Sequence, residues 1–339
     1  MGRNLSVDEH AAVLEWAEAF RSLRQFEMLP PVGACIRREA RRELDLYWNL
    51  ANLSRAGERR PGLSAAAYKV VFRVRVTIER GLAGLLGEQL DRGRLELEDL
   101  FDGDFFGCSI KQGASLRMPL ASCAPTADCQ GSCYAHDGMD AGRNPVVKGV
   151  LNGAIAARFE AGDAATRDRI LGLLKPHVRR AVRAARAEAA AAGFERRARI
   201  RFSHVGEVAA YPSFANGLAA LVRDESKGEV DCVVYTRHPN AKLLDPALFL
   251  VLFSLDESSE DRRRFVPETA RVVRSAFGGR ITDSVDVNFL EHHRWEHIKP
   301  VGTGKVCPAT APDTKDRTCD GCKCDFCFTP KLVTLGLPR

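Results

Sequence analysis

The sequence predicts an α/β protein with parallel strands in its central part, a helical N-terminal extension over residues 1–100 and a Cys-rich segment over 301–339. Three observations lead there. From Ala198 onward short apolar strands alternate with helices, at 200–204, 214–222, 230–235, 248–253, 267–276 and 285–289, the pattern of βαβ units. The first hundred residues read as helical instead. Most of the eleven cysteines fall into two clusters, at 123–133 and 307–327.

Composition sets the frame. With 339 residues, 45% hydrophobic and 28% charged, the chain can bury a full core, and neither a disordered nor a collagen-like composition fits. Its longest apolar run, around 248–255, is of strand length and ends at Asp256, far short of the roughly 20 residues of a membrane span. The first ten residues lack the apolar stretch of an export signal, so a cytoplasmic protein away from membranes is expected. Eleven cysteines in that setting point to metal or redox chemistry rather than to disulfides. The net charge of +6 is spread along the chain and selects no partner by itself.

Taken in order, Leu14, Trp16, Ala17, Phe20 and Leu23 gather on one side of a first helix, with Ser6 and Asp8 as N-cap candidates. Residues 54–62, SRAGERRPG, read as an exposed loop. Residues 70–78 alternate like a strand yet lead into a helical pattern, so their type stays open. Between Leu100 and Arg143 the pattern breaks into Gly, Pro, Asp and Cys, and Pro145 then opens a helix through Val146, Leu151, Ile155 and Phe159. A second helix, over about 164–192, carries Ile170, Leu173, Leu174 and Val178 on one side and arginines on the other.

In parallel α/β folds, ligands sit beyond the carboxyl ends of the strands. Here those ends carry Ser203-His204-Val205-Gly206-Glu207, Tyr235-Thr236-Arg237-His238, Ser254-Leu255-Asp256 and Asn288-Phe289-Leu290-Glu291. Charged residues populate loops in any protein, but four polar tips together favour a site.

The cysteines sharpen this expectation. Cys123, Cys129 and Cys133 are separated by five and then three residues in a loop just before a helix. Three thiolates hold three irons of a four-iron cluster and leave one iron open, whereas a structural zinc needs a fourth ligand, for which His136 is at hand. Incidental clustering is the third reading. Cys307, Cys319, Cys322, Cys324 and Cys327 form a closing knuckle with one thiol more than a four-ligand site needs, suited to an auxiliary iron–sulfur cluster or to zinc. Cys35, Cys108 and Cys232 read as buried small residues. His293 and His297 form an i, i+4 pair but lack the glutamate of the zinc-protease motif, and Gly302-Thr303-Gly304-Lys305 is only a fragment of a phosphate loop.

The three-cysteine loop ending Cys133-Tyr134-Ala135, the later Gly206-Glu207, Tyr235-Thr236-Arg237 and Cys307-Pro308-Ala309 resemble the phage gene product 88 domain family, over about 107–328. The helical first hundred residues lie outside that resemblance. The layout is also similar to radical S-adenosylmethionine (SAM) enzymes, which place three cluster cysteines after the first strand of a partial (β/α) barrel and a Gly-Glu element after the second. That likeness implies a partial barrel over 101–300 of radical SAM-like type, with Cys123, Cys129 and Cys133 on the catalytic four-iron cluster. It further implies that Gly206 and Glu207 receive the amino group of SAM, Arg237 its carboxylate, and Ser254 or Asp256 its ribose. Glu291, Asn288 and Tyr134 become the catalytic candidates facing adenosine or substrate, and a flavodoxin or ferredoxin becomes the electron donor. The cysteine gaps here are five and three where the radical SAM pattern has three and two, and the aromatic Tyr134 follows the last cysteine rather than preceding it. A different cluster pose would break another carbon–sulfur bond of SAM.

The expected activity is thus reductive cleavage of SAM to a carbon radical that modifies a small-molecule, peptide or nucleic-acid substrate. The rival is a metal-stabilised nucleic-acid-binding or phage-type accessory protein, its phosphate contacts supplied by Arg179, Arg180, Arg183 and Arg186. A zinc hydrolase built on His293 and His297 comes third.

Overall fold

The structure is a computed structural model that describes residues 28–53, 65–109, 113–131, 133–136, 138–191, 197–276, 280–290 and 301–303. The first expected helix around Leu14, the 54–62 loop, Glu291, His293, His297, the Gly302–Lys305 fragment beyond Thr303 and the whole cysteine knuckle from Cys307 lie outside the described residues. The chain divides into two compact units. One gathers Met1–Phe105, Arg117–Leu173 and Val205–Glu207, the other Phe106–Leu116, Leu174–His204 and Val208–Arg339.

The first unit is helical. Helices α1 (Val32–Glu39), α2 (Arg41–Leu53) and α3 (Ala65–Asp91) pack with α5 (Arg143–Ala161), and a short α4 (Ala127–Gly131) lies within the cysteine loop. The stretch 70–78 is helix. Its β-branched residues favour a strand locally, but burial recurs at Val71, Arg75, Ile78, Leu82 and Leu86, a 3.6-residue period that no strand can present to one core. Helix α5 buries residues all round its circumference, among them Val146, Val150, Leu151, Ile155 and Phe159, as befits a central helix. Gly153 lies against the Pro119 ring, where a Cβ would come within 2.7 Å of it, so the chain leaving strand β2 can run close to this helix.

Helix α6 (Ala164–Ala191) opens with the Thr166 amide donating to Asp163 (2.8 Å). It buries Ile170, Leu174, Val178, Val182 and Ala185 at helical spacing, as expected.

The sheet occupies the second unit. Strands β1 (Gly107–Ser109), β2 (Gly113–Arg117), β3 (Ala198–Val205), β4 (Val230–Thr236), β5 (Phe249–Leu255), β6 (Arg271–Ala276) and β8 (Val287–Leu290) stand side by side in that order. The β1–β2 pair is antiparallel, and the pairings β3–β4, β4–β5, β5–β6 and β6–β8 are parallel. The α/β class is therefore as the sequence predicts, and 267–276 contributes a strand. β7 (Arg280–Ile281) and β9 (Val301–Gly302) form a separate parallel pair. Helix α7 (Pro212–Ser226) crosses from β3 to β4, whereas the next two crossovers are 3₁₀ turns, Pro239–Leu243 and Glu257–Phe265. Val233, Leu252, Val273 and Val287, from four neighbouring strands, form one buried apolar cluster, with Val273 directly opposite Val287. Phe202 and Phe249 meet edge to face at 5.2 Å. No described helix is long and apolar enough to cross a membrane.

Candidate functional site

The cysteine loop starts where β2 ends. The Met118 amide donates to Val205 O (2.7 Å), tying the exit of β2 to the end of β3. A 3₁₀ turn, Leu120–Ser122, leads to Cys123, whose amide donates to Leu120 O (3.0 Å). Buried Thr126 then accepts the Cys129 amide on its hydroxyl (3.1 Å) and the Gln130 amide on its carbonyl (3.0 Å), which starts α4 and sets Cys129 in its middle. Cys133 follows, buried with Phe72, Leu120, Ala135 and Val205, and half-buried Cys123 packs on the same cluster. The loop is folded back on itself, so cysteines ten residues apart in sequence share one apolar floor.

Gly206 and Glu207 lie beside this loop. Gly206 has φ +73, and a Cβ there would overlap the carbonyl oxygens of Met118 and Pro119, so only glycine fits the turn. The Glu207 amide donates to Ser122 Oγ (2.8 Å), which itself donates to Pro119 O (2.7 Å). This places the buried Glu207 against the residue preceding Cys123. Burial pushes the Cys123 thiol well up, and the neighbouring charges of Glu207, Cys129, Cys133 and Glu79 push it further. The three sulfurs and two carboxylates therefore share one electrostatic neighbourhood.

What such a donor set can hold follows from its spacing and charge. A tetrahedral zinc would draw its sulfurs to about 3.8 Å of one another. Among the described residues no group of three or more His, Cys, Asp and Glu side chains can hold a single metal ion. A four-iron cluster takes each thiolate on a separate iron and so tolerates a wider triangle.

His136, the expected fourth zinc ligand, is buried beside Tyr47. Its Nδ1 lies 3.0 Å from the Tyr47 hydroxyl, and its ring stands edge-on to Tyr47 and Phe72, both at 5.9 Å. Burial, reinforced by the Arg75 charge, holds its pKa well below the ordinary value, so the imidazole is neutral.

A buried charge network missed by the sequence reading surrounds the loop. Arg75 and Glu79, both with fully buried side chains, pair at 2.8 Å across one turn of α3. Arg75 Nη1 also donates to Tyr47 Oη (3.1 Å), Ala135 O (2.8 Å) and Asp140 O (3.1 Å), and Glu79 Oε2 accepts the Ala121 amide (2.9 Å). Burial works against the Arg75 charge, but Tyr47 and Glu79 more than offset it, and the guanidinium stays ionised. Burial pushes the Glu79 carboxyl up, opposed by Arg75 and the backbone amides of the 120–121 turn. The available signal is the i, i+4 placement of two opposite charges on the apolar side of a helix, which stays hidden while the type of 70–78 is open.

The expected strand-tip residues of the second unit form a group of their own. Arg237 pairs with the fully buried Asp256 at 2.6 Å and donates to Ser254 Oγ (3.2 Å), which lies 3.5 Å from Ser275 Oγ. Asp256 also caps the Glu257–Phe265 turn through the Ser258 amide (3.1 Å). Asn288 is fully buried. Its amide donates to Thr282 O (2.8 Å) and accepts the Thr282 amide (3.0 Å), which makes it a backbone clamp in this structure. The backbone of Tyr134 lies in a 3₁₀ turn, Tyr134–His136, while its side chain is outside the described residues. Cys35 and Cys232 are buried as expected. Of the arginine stripe on α6, Arg179 pairs with Glu225 (2.7 Å) and Arg186 with Glu229 (2.6 Å), so part of its charge is neutralised at the surface. Compared with protein families, with characterised proteins and with solved structures, the chain shows no match.

Proposed function

We propose that the protein is an iron–sulfur enzyme of radical SAM-like type, acting on SAM and a second substrate. The observation that carries this reading is the tie between the cysteine loop and the Gly206-Glu207 turn through Ser122, made just where consecutive strands β2 and β3 end. The strand order supports it too. Strands that follow one another across a sheet are wound in one sense, as in a complete or partial barrel, whereas a doubly wound sheet reverses at a switch point.

Cys123, Cys129 and Cys133 hold three irons in this reading. When bound, a four-iron cluster with one open iron supplies a single electron to the SAM sulfonium and so produces a carbon radical. The side chains around it do the positioning. Glu207 accepts from the SAM ammonium, its backbone fixed by Ser122. Phe72, Leu120 and Val205 keep water away from the thiolates. The Arg237–Asp256–Ser254 group receives polar parts of SAM or of the substrate, and Asn288, Glu291 and Tyr134 remain candidates on the substrate side. Cys307, Cys319, Cys322, Cys324 and Cys327 hold an auxiliary four-iron cluster or zinc, and a flavodoxin or ferredoxin delivers the electron in the cytoplasm.

Anaerobic purification with iron, sulfide and zinc quantification, an absorption spectrum and a reduced spin-resonance spectrum with and without SAM tests this. About four or eight irons per chain, with a spectrum perturbed by SAM, are expected. Cys129→Ala should abolish SAM cleavage and leave the fold intact. Colourless protein that still binds only zinc after reconstitution, or a Cys129→Ala variant that still cleaves SAM, sinks the reading.

A further inference from the structure

We infer that Arg75, together with Glu79, is a positioning residue that holds both ends of the cysteine loop and so sets where its three sulfurs stand. This role deepens the iron–sulfur reading of the same site and takes its functional meaning from it. The loop needs such a device. Among the described residues between Ala121 and Asp140 it contains only the five-residue α4 and short 3₁₀ turns, and each backbone residue it orders costs about 1–2 kcal/mol of conformational entropy.

Its two ends meet on one ion pair. Glu79 Oε2 takes the amide of Ala121, two residues before Cys123. Arg75 Nη1 takes the carbonyl of Ala135, two residues after Cys133, and that of Asp140. The Asp140 carboxylate in turn pairs with Arg117 at 2.6 Å, at the end of β2. Tyr47 Oη completes the junction by bridging Arg75 and His136. A planar guanidinium can reach a carboxylate, a phenol and two carbonyls at once, which the single ammonium of a lysine cannot. A buried ion pair is a poor stability device, because desolvation cancels most of its Coulomb gain. Its cost is understandable where it specifies one loop conformation.

The test uses the full chain in two forms. Arg75→Lys keeps the charge and loses the fan of bonds, while Tyr47→Phe keeps every Arg75 bond to the loop backbone. In metal-free protein, iodoacetamide labelling followed by mass spectrometry reads the exposure of Cys133 alongside the thermal midpoint. Arg75→Lys should label Cys133 about tenfold faster than wild type, from local opening, and Tyr47→Phe should stay near the wild-type rate. In reconstituted protein, Arg75→Lys should hold less than about half the wild-type iron, with a reduced spin-resonance spectrum of altered shape, and Tyr47→Phe should show the wild-type spectrum. If Arg75→Lys does not fold, Glu79→Gln, which keeps the shape and removes the charge, serves with the same expectation. Wild-type labelling and a wild-type spectrum in the folded variant would overturn the role. If wild type takes up no iron while Cys133 protection still depends on Arg75, the positioning role stands and the iron–sulfur reading falls.

Discussion

At the scale of single residues, Gly206 and His136 show how tightly the cysteine loop is tailored. Gly206 combines a left-handed backbone with two carbonyls where a Cβ would stand. Left-handed geometry costs an ordinary residue about 1–2 kcal/mol, and forcing a methyl into a packed position costs about 1–3 kcal/mol more. Gly206→Ala should therefore lose roughly 2–5 kcal/mol in a urea titration. A loss below about 1 kcal/mol would show that the 118–119 segment can give way. His136 predicts a pH dependence. Burial and the nearby Arg75 depress its folded pKa well below the ordinary value, whereas the unfolded chain protonates it near pH ~6.5. Below that pH the unfolded state binds one proton more than the folded state, so stability present at neutral pH is lost as the pH falls. Between about pH 6.5 and 5 the wild-type unfolding free energy should fall more steeply than that of His136→Phe, by up to about 1.4 kcal/mol per unit. Equal slopes in the two proteins would mean that His136 already carries its proton in the fold.

Elements divide into those whose periodicity was visible and those decided by distant partners. Helices α5 and α6 and strands β3, β4, β5 and β8 were legible because each repeats apolar residues at its own period, and the β3-to-β8 alternation gave the α/β class. The stretch 70–78 was not. Apolar residues at every second position, Val70, Phe72, Val74, Val76 and Ile78, mimic a strand, and only burial along α3, down to Leu86, makes the helical period plain. The same ambiguity hid Arg75 and Glu79, because alternation puts Arg73 and Arg75 on a polar face, whereas the helix turns Arg75 inward. Cysteine spacing and the Gly-Glu pair were visible as sequence, and the structure adds the Ser122 hydroxyl that joins them. Nothing local announces that bond, since Ser122 and Glu207 are 85 positions apart. Arg237, Ser254 and Asp256 could be picked as polar strand tips, but their mutual pairing depends on the β4–β5 register.

For the whole molecule, the decisive question is whether residues 107–328 can stand without the helices that precede them. Helices α1, α2 and α3 all pack on α5, and Ile36, Leu44, Ile78, Leu82 and Leu86 are almost fully buried in that helical unit. Full burial of such a side chain is worth about 1.5–3 kcal/mol, so the five contribute roughly 8–15 kcal/mol, comparable to the 5–15 kcal/mol net stability of a typical protein. Removing the helices would also strip the Ala121 amide and the Ala135 carbonyl of Glu79 and Arg75. A fragment spanning 107–328 should accordingly be recovered as aggregate, or as a collapsed species without a cooperative thermal transition, whereas the full chain unfolds cooperatively. Size-exclusion chromatography and circular dichroism of the two proteins side by side make the comparison. A soluble, monomeric fragment with a cooperative transition and protected Cys133 would mean that the loop carries its own conformation, and the helices would then have to be assigned a role other than holding it.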